Sequence, residues 1–169
     1  MRVIGLAGWS GSGKTTLLAR LIPLLTGEGL RVSTIKHAHH NFDVDKPGKD
    51  SWTHRQAGAS EVLVVSDTRW ALMHELRGEA EPSLTELLGK LSECDLVIVE
   101  GFKREPIPKI EIWRAEVGKP LLHPEDPAIV LMTSDDPCPQ ARIPILPLSD
   151  LPALARAVLS AARPIGALG

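Results

Sequence analysis

The fold of this chain is decided by the stretch Val3-Ile4-Gly5-Leu6-Ala7-Gly8-Trp9-Ser10-Gly11-Ser12-Gly13-Lys14-Thr15. Residues 8–15 match the phosphate-binding pattern G-x-x-x-x-G-K-[ST] completely. The apolar run Val3–Ala7 has the composition of a strand that is buried on both faces. Leucines between Leu17 and Leu25 recur at the spacing of one helix face. A strand, a glycine-rich turn and a helix in this order predict a P-loop.

The residue types in this turn suit the binding of a polyphosphate. The glycines allow backbone torsions that a side chain would block, so successive N–H groups can face one anion. The N-terminus of the following helix adds positive electrostatic potential. We expect Lys14 to reach the β- and γ-phosphates, and the Thr15 hydroxyl to ligate Mg²⁺. The predicted nucleotide-binding residues of the loop are Gly8, Ser10, Gly11, Ser12, Gly13, Lys14, Thr15 and Thr16.

A P-loop also needs an acidic residue across the phosphates that holds or orients the metal. The buried strand Leu96–Val99 runs directly into Glu100. Because ligands bind at the carboxyl ends of strands in open α/β sheets, Glu100 is the predicted metal-orienting acid, and the predicted catalytic pair is Lys14 and Glu100. Asp95 begins the same strand, so we expect it at the opposite edge of the sheet.

Two acidic residues follow a late apolar strand and are candidates for reading the base. Guanine presents two adjacent donors, so one carboxylate can accept both, whereas adenine presents an acceptor and a donor there. Asp135 follows the strand Ala128–Thr133 and is the first candidate, with Asp136 second. An Asp-Asp-Pro turn that binds no ligand is the alternative interpretation.

The rest of the chain alternates strand-length apolar runs with helical patterns. This order predicts an α/β fold of the P-loop NTPase class, with a mostly parallel sheet flanked by helices. The runs Ser60–Ser66 and Arg69–Glu75 are separated by a short polar turn, so they predict one antiparallel excursion. Pro23 lies inside the first helical pattern and predicts a kink near Arg20 or a break. We expect one nucleotide-binding domain over residues 1–169.

Two later segments are predicted from their composition. Residues 109–114 alternate polar and apolar side chains, as a strand does. Residues 143–148 are predicted as a short strand that prolines interrupt, and residues 150–162 as a final helix rich in alanine and leucine.

Length and composition narrow the function classes. The chain has 169 residues, 19 Lys plus Arg and 21 Asp plus Glu, which gives a formal net charge of −2. This near-neutral charge argues against sequence-independent binding of nucleic acid. No apolar stretch approaches the ~20 residues that span a bilayer. Cys94 and Cys138 are not in a C-x-x-C pair, and we expect reduced thiols in a cytoplasmic protein.

Histidines are concentrated in the polar segment after the second strand. Four of the six histidines are His37, His39, His40 and His54. Such a loop would overhang the phosphate site and could sense the γ-phosphate or a second phosphorylated ligand. Imidazoles also bind metals, and a solvated surface loop is the third interpretation.

The same segment carries the most specific motif of the chain. It reads Lys36-His37-Ala38-His39-His40-Asn41-Phe42-Asp43-Val44-Asp45-Lys46-Pro47-Gly48-Lys49-Asp50-Ser51, followed by Arg55-Gln56-Ala57-Gly58-Ala59. Together with Val99-Glu100-Gly101-Phe102-Lys103 and Pro108-Lys109-Ile110-Glu111, it resembles the MobB family of molybdopterin-guanine dinucleotide biosynthesis proteins. The likeness extends from the P-loop to about residue 136.

The resemblance implies a GTP-binding adaptor that uses GTP and Mg²⁺. It implies a MobA-type nucleotidyltransferase as the partner, which joins GMP to molybdopterin, and it leaves direct contact with molybdopterin open. Family likeness further implies a homodimer with weak GTPase activity. The apolar run 69–75 could pair across such a dimer.

Three alternatives remain at this stage. A small-molecule P-loop kinase would use the same loop, but it usually needs a lid with clustered arginines. A metal-delivery GTPase would use the segment His37–His40. An interaction module without enzymatic activity would not depend on Lys14.

Slow hydrolysis is expected, because the sequence identifies no glutamine or arginine that orients water or stabilises the transition state.

Overall fold

The computed structural model describes residues 1–38 and 42–167 of the chain. The chain divides into two compact units. The larger unit consists of Met1–His37 together with Leu84–Gly169, and the smaller unit is Ala38–Ser83. The strands are β1 (Arg2–Ala7), β2 (Val32–Lys36), β3 (Glu61–Val65), β4 (Trp70–His74), β5 (Leu96–Glu100), β6 (Lys109–Ile112), β7 (Ile129–Thr133), β8 (Ile145–Leu146) and β9 (Arg163–Pro164). The α-helices are α1 (Lys14–Gly27), α2 (Asp50–Gln56), α3 (Leu84–Lys90) and α4 (Leu151–Ala161). The single-domain assignment for residues 1–169 stays a prediction.

The larger unit is built on a mostly parallel sheet. Its strands follow the order β2-β5-β1-β6-β7-β8, and each of these neighbours is parallel. The short strand β9 adds an antiparallel pairing at the start of β1. This arrangement confirms the predicted α/β class with a mostly parallel sheet. Because the strands are parallel, the loops that leave β1, β5, β6, β7 and β8 meet at one edge.

Both faces of this sheet are covered, which explains the continuous apolar runs in its central strands. Ile4 and Leu6 of β1 pack with α1 and α4 on one face. Val3, also on β1, packs with Val97 of β5 and Leu84 of α3 on the other face. Successive side chains of a strand point to opposite faces, so a strand covered on both faces, such as β1, is apolar along its length.

Helix α1 does not break at Pro23. It runs as one element from Lys14 to Gly27, with Pro23 inside it. The expected break is therefore wrong. Leu21 and Leu25, on either side of the proline, are fully buried against the sheet. Burying two leucines contributes about 1.5–3 kcal/mol each, which offsets the cost of about 3 kcal/mol for an interior proline.

The polar residues of β6, which alternate with its apolar residues, are buried as well. Lys109 is 3% exposed, and its Nζ donates to Asp126 Oδ2 at 2.9 Å and to the Glu105 carbonyl at 2.6 Å. Glu111 is 1% exposed and accepts hydrogen bonds from the segment around His123. Burial is tolerated because each charge is paired or hydrogen-bonded.

The strand predicted over residues 143–148 is shorter in the structure. Only Ile145–Leu146 pairs with β7. Pro144 and Pro147 flank this pair and supply no backbone N–H for a ladder, which limits its length.

The smaller unit contains the predicted antiparallel excursion. Strands β3 and β4 form a two-stranded hairpin with a regular register from Glu61↔His74 to Val65↔Trp70. Several large apolar side chains of this hairpin are exposed. They are Leu63, Val64, Val65, Trp70 and Leu72.

One end of the hairpin carries a histidine between two carboxylates. His74 Nδ1 lies 2.8 Å from Glu61 Oε1, and His74 Nε2 lies 3.2 Å from Glu79 Oε2. Carboxylates only accept, so both ring nitrogens must carry protons, and these hydrogen bonds raise the pKa of His74 above its ordinary value.

We expect the His74 imidazolium to stabilise the hairpin most at low pH. Because the folded pKa lies above the unfolded one, this stabilisation is complete below about pH 6.5 and is lost as pH rises through the folded value. NMR titration of the ring should give a pKa above the ordinary histidine value of about 6.5, and Glu61→Gln should lower it. A His74 pKa that Glu61→Gln leaves unchanged would contradict the assignment.

Among the described residues, no helix combines the length and the apolar character that crossing a bilayer requires.

Candidate functional site

The P-loop leaves β1 at the centre of the sheet edge. β1 pairs with β5 on one side, with Leu6 beside Glu100, and with β6 on the other. Ala7, the last residue of β1, lies beside Glu111. The loop is therefore flanked by the segments that follow β5 and β6, and these segments supply its neighbours.

Glycines set the course of the P-loop backbone. Gly8, Gly11 and Gly13 have φ values of 151°, 82° and 92°, which side-chain-bearing residues rarely adopt. A Cβ at Gly8 would lie 2.6 Å from Ser12 Oγ and 2.7 Å from the Ile112 carbonyl. The loop thus closes on itself and against the end of β6 only if this position has no side chain.

Lys14 lies across the loop that precedes it. Its Nζ donates to the Gly8 carbonyl at 2.9 Å and to the Trp9 carbonyl at 3.0 Å. Burial lowers the pKa of Lys14; the Glu100 carboxylate opposes this shift, and Lys103 and Lys36 reinforce it. The ammonium is thus held at the loop with one carboxylate and two other cations nearby, and an added anion would favour its charged form.

The two predicted metal ligands lie on neighbouring elements. Glu100 ends β5, is 9% exposed, and lies in register between Leu6 of β1 and Lys36 of β2. Thr15 is exposed in the first turn of α1, immediately after Lys14. A hydroxyl and a carboxylate are oxygen donors of the kind Mg²⁺ prefers.

The loop also contains a buried hydroxyl group, that of Ser12. Ser12 is buried, and its Oγ has no hydrogen-bond partner within residues 1–38 and 42–167. Buried hydroxyls are normally hydrogen-bonded, so a phosphate oxygen bound in the loop would suit this one. The other predicted loop residues, Ser10 and Thr16, are exposed.

Gly101 brings the ends of β2 and β5 together. It has φ 97°, and a Cβ there would lie 2.8 Å from the His37 carbonyl oxygen. The His37 N–H donates to the Glu100 carbonyl at 2.8 Å, and the His37 ring lies 5.1 Å from the Phe102 ring. The first histidine of the polar segment therefore lies beside the predicted metal-orienting acid.

Arg114 is a site residue that sequence reasoning missed. It follows β6, and its Nε donates to the Ser12 carbonyl at 3.2 Å. The guanidinium lies 3.3 Å from the position that a Cβ on Gly13 would take. Only the strand order, which places β6 beside β1, could have indicated this contact.

The two candidate base-reading acids have different neighbours. Asp135 is exposed, and its Oδ1 accepts from the backbone N–H and the hydroxyl of Ser149, both at 3.1 Å. Asp136 Oδ2 accepts from the Ala115 N–H at 2.8 Å. In each carboxylate, the second oxygen takes no part in these hydrogen bonds. Asp135 thus links the segment after β8 to the end of β7, and Asp136 links the segment after β6 to it.

The charged residues of the histidine-rich motif bond to one another in the smaller unit. Arg55 NH1 lies 2.7 Å from Asp43 Oδ1, and Arg55 Nε lies 2.6 Å from Glu75 Oε1. Asp45 Oδ1 accepts from the Ser51 hydroxyl at 2.8 Å. These hydrogen bonds lower the pKa of Asp43 and raise that of Arg55. The acidic and basic members of the motif therefore stabilise this unit.

His39 and His40 lie outside the described residues. Within the part of the chain that is described, no group of three or more His, Cys, Asp or Glu side chains could hold a metal ion. The interpretation of the histidine segment as a metal site stays a hypothesis.

Comparisons with known proteins agree on one family. The family model described as MobB, Molybdopterin guanine dinucleotide synthesis protein B, matches residues 3–135. A relative from Haemophilus influenzae, named molybdopterin-guanine dinucleotide biosynthesis adapter protein, is 47% identical over 78% of this chain and 74% of its own length. The Escherichia coli protein of the same name is 44% identical over 90% of this chain and 89% of its own.

Solved structures give the same fold. A crystal structure of molybdopterin-guanine biosynthesis protein B covers 94% of this chain and 98% of its own, with a TM-score of 0.72 and 26% identity. Bacillus subtilis MobB covers 96% of this chain and 99% of its own, with a TM-score of 0.73 and 24% identity. The family match over residues 3–135, the two relatives and the P-loop at the sheet edge lead to one conclusion: the chain belongs to the MobB family.

Proposed function

We propose that this chain is a nucleotide-binding adaptor in the biosynthesis of the molybdopterin guanine dinucleotide form of the molybdenum cofactor. In this proposal it binds GTP with Mg²⁺ and assists a MobA-type nucleotidyltransferase in the cytoplasm. The observation that carries nucleotide binding is the P-loop, in which Lys14 Nζ lies at the Gly8 and Trp9 carbonyls. The names of the two relatives supply the pathway.

The residues present fit a nucleotide with a divalent cation. The left-handed glycines shape a turn whose N–H groups can face phosphate, and Ser12 Oγ is a buried hydroxyl that suits a phosphate oxygen. Thr15 and Glu100 are the proposed metal ligands. The metal, when bound, would neutralise charge on the phosphates.

Slow hydrolysis follows from how Arg114 is held. Its Nε already donates to the Ser12 carbonyl, which ties the guanidinium to the loop backbone. An arginine that stabilises the transition state of phosphoryl transfer must instead contact the transferred group, and this contact is worth about 10³–10⁵ in rate. We therefore assign Arg114 to positioning the P-loop. Fast GTP hydrolysis would require catalytic groups that a partner supplies.

Base choice gives the sharpest test of this function. We expect calorimetry to show tighter binding of GTP than ATP in the presence of Mg²⁺. Asp135→Asn should reduce that preference at least tenfold, about 1.4 kcal/mol, because the amide offers a donor where the guanine N–H groups need acceptors. Asp136→Asn is the matched control.

A protein that binds ATP as tightly as GTP would contradict the proposal. Loss of selectivity in the Asp136 variant alone would transfer the base-reading role to that residue. Repeating the titration with the transferase present tests the adaptor role, since coupling between partners must appear as a shift in nucleotide affinity.

The homodimer belongs to the same proposal, and the hairpin of β3 and β4 is its proposed interface. Leu63, Trp70 and Leu72 are 61%, 64% and 50% exposed, and exposed apolar strands pair readily with a second copy. We expect Trp70→Glu with Leu72→Lys to shift the sedimentation coefficient from dimer to monomer. Val130→Lys, at a residue 44% exposed in the larger unit, is the control. If the wild-type protein sediments as a monomer at high concentration, the proposed homodimer is wrong.

A further inference from the structure

Trp9, the second residue of the P-loop, has a side chain that contacts the segments after β5 and β6. Its Nε1 donates to the Pro120 carbonyl at 2.8 Å, which fixes the indole against the segment after β6. Lys103 Nζ lies 4.9 Å from the centroid of the Trp9 ring, and Lys119 Nζ lies 5.8 Å from it. Two cations from separate loops therefore lie near one aromatic side chain.

The backbone holds both lysines in place. The Lys103 N–H donates to the Gly101 carbonyl at 2.9 Å in the turn after β5. The Lys119 carbonyl accepts from Trp113 Nε1 at 3.2 Å in the segment after β6. The Trp9 ring therefore lies within cation–π range of both ammonium groups.

Positive charge accumulates here beyond what the P-loop itself provides. Burial lowers the pKa of Lys14 most, the Glu100 carboxylate raises it, and Lys103 and Lys36 lower it, so two further cations and one carboxylate act on this ammonium. Like charges repel when they are placed close together, so this cluster favours the approach of an anion. A phosphate monoester carries about −1.5 to −2 charges at neutral pH, which matches two ammonium groups.

We propose that Trp9, Lys103 and Lys119 form a second ligand site beside the P-loop, which binds a phosphate monoester attached to a flat heteroaromatic ring. The lysines contact the phosphate, and the indole stacks on the ring. The proposal rests on the proposed function, because a dinucleotide is made by joining a nucleotide to a second phosphorylated molecule. The site holds that acceptor next to the bound nucleotide.

The chemistry of the three side chains supports this choice of ligand. A lysine over an aromatic face is a weak contact at an exposed site, so a phosphate with two full charges competes for it easily. When the ammonium groups turn to the phosphate, the indole face is available for stacking. Stacking tolerates any flat ring, whereas the charge pair demands an anion.

The test titrates hydroxymethylpterin phosphate into the full-length protein by calorimetry, with and without MgGTP. Hydroxymethylpterin and inorganic phosphate are the two partial probes. We expect the phosphorylated pterin to bind at least about tenfold more tightly than either part. The double variant Lys103→Ala, Lys119→Ala should lose at least that factor for the phosphorylated pterin. The single variant Lys119→Ala, which removes a lysine that is not among the charges acting on Lys14, should change MgGTP affinity by less than about threefold. Lys90→Ala, an exposed lysine at the end of α3, is the matched control.

The outcomes separate the two proposals. Equal losses of MgGTP and pterin phosphate affinity would place the lysines in the nucleotide site and overturn the second site. Inorganic phosphate binding as tightly as the pterin phosphate would overturn the heteroaromatic specificity. Trp9→Phe should keep binding and Trp9→Leu should weaken it, and equal binding by the two variants would overturn the stacking role of the indole. If the wild type does not bind MgGTP, the proposed function is wrong. The titration of pterin phosphate without nucleotide still tests the second site independently.

Discussion

Replacing Lys14 with alanine should weaken GTP binding on the order of 100-fold without unfolding the protein. A hydrogen bond to a charged group is worth about 1.5–3 kcal/mol, and each 1.4 kcal/mol is tenfold in affinity. Lys14 is half-buried, and both of its acceptors are loop carbonyls rather than core groups. We therefore expect the free energy of unfolding to change by less than about 1 kcal/mol.

The measurement is calorimetric titration of GTP with Mg²⁺, paired with urea unfolding of the same samples. Lys90→Ala removes a lysine of the same unit that lies away from the loop. It should leave both quantities unchanged. An unaltered GTP affinity in the Lys14 variant would show that the phosphate site lies elsewhere.

The second large effect concerns stability and centres on Glu111. This carboxylate accepts from the Leu122 N–H at 2.7 Å, the His123 N–H at 3.1 Å and His123 Nδ1 at 2.9 Å. Glu111→Ala leaves these donors without an acceptor at a position that is 1% exposed. We expect a loss of about 3–5 kcal/mol in the free energy of unfolding, because breaking a buried pair strands the remaining partner.

Thermal and urea unfolding both report this loss. For a domain of this size a change of 1 kcal/mol shifts Tm by about 2–4 °C, so a fall of roughly 10 °C is expected. Glu116→Ala is the comparison, since the Glu116 side chain is 73% exposed and its nearest cation is 3.7 Å away. If both variants unfolded at the same temperature, the buried carboxylate would not anchor the segment that follows β6.

Local patterns in the sequence predicted the centre of the fold and the elements that carry the candidate site. The run Val3–Ala7, the octapeptide 8–15 and the strand that ends at Glu100 are each defined by neighbouring residues. Their parallel pairing then brings Glu100 beside Leu6. Features of this kind follow from residue type and spacing alone.

Contacts between distant segments could not be predicted in the same way. Arg114 bonds Ser12 across 102 positions of sequence, and Lys109 bonds Asp126 across 17. Nothing local distinguishes these charged residues from solvated ones, and only the strand order brings their partners near. For the same reason, the sequence did not reveal that Asp43, Asp45 and Arg55 of the histidine-rich motif form ion pairs with one another.

The close approach at Gly101 has a mechanical consequence. The His37 N–H donates to the Glu100 carbonyl at 2.8 Å. The His37 carbonyl lies so close to Gly101 that a methyl group there would not fit. These two strand ends cannot slide independently. A shift of the Glu100 backbone must therefore carry the end of β2 with it, so the polypeptide that continues from His37 starts at a point fixed to β5.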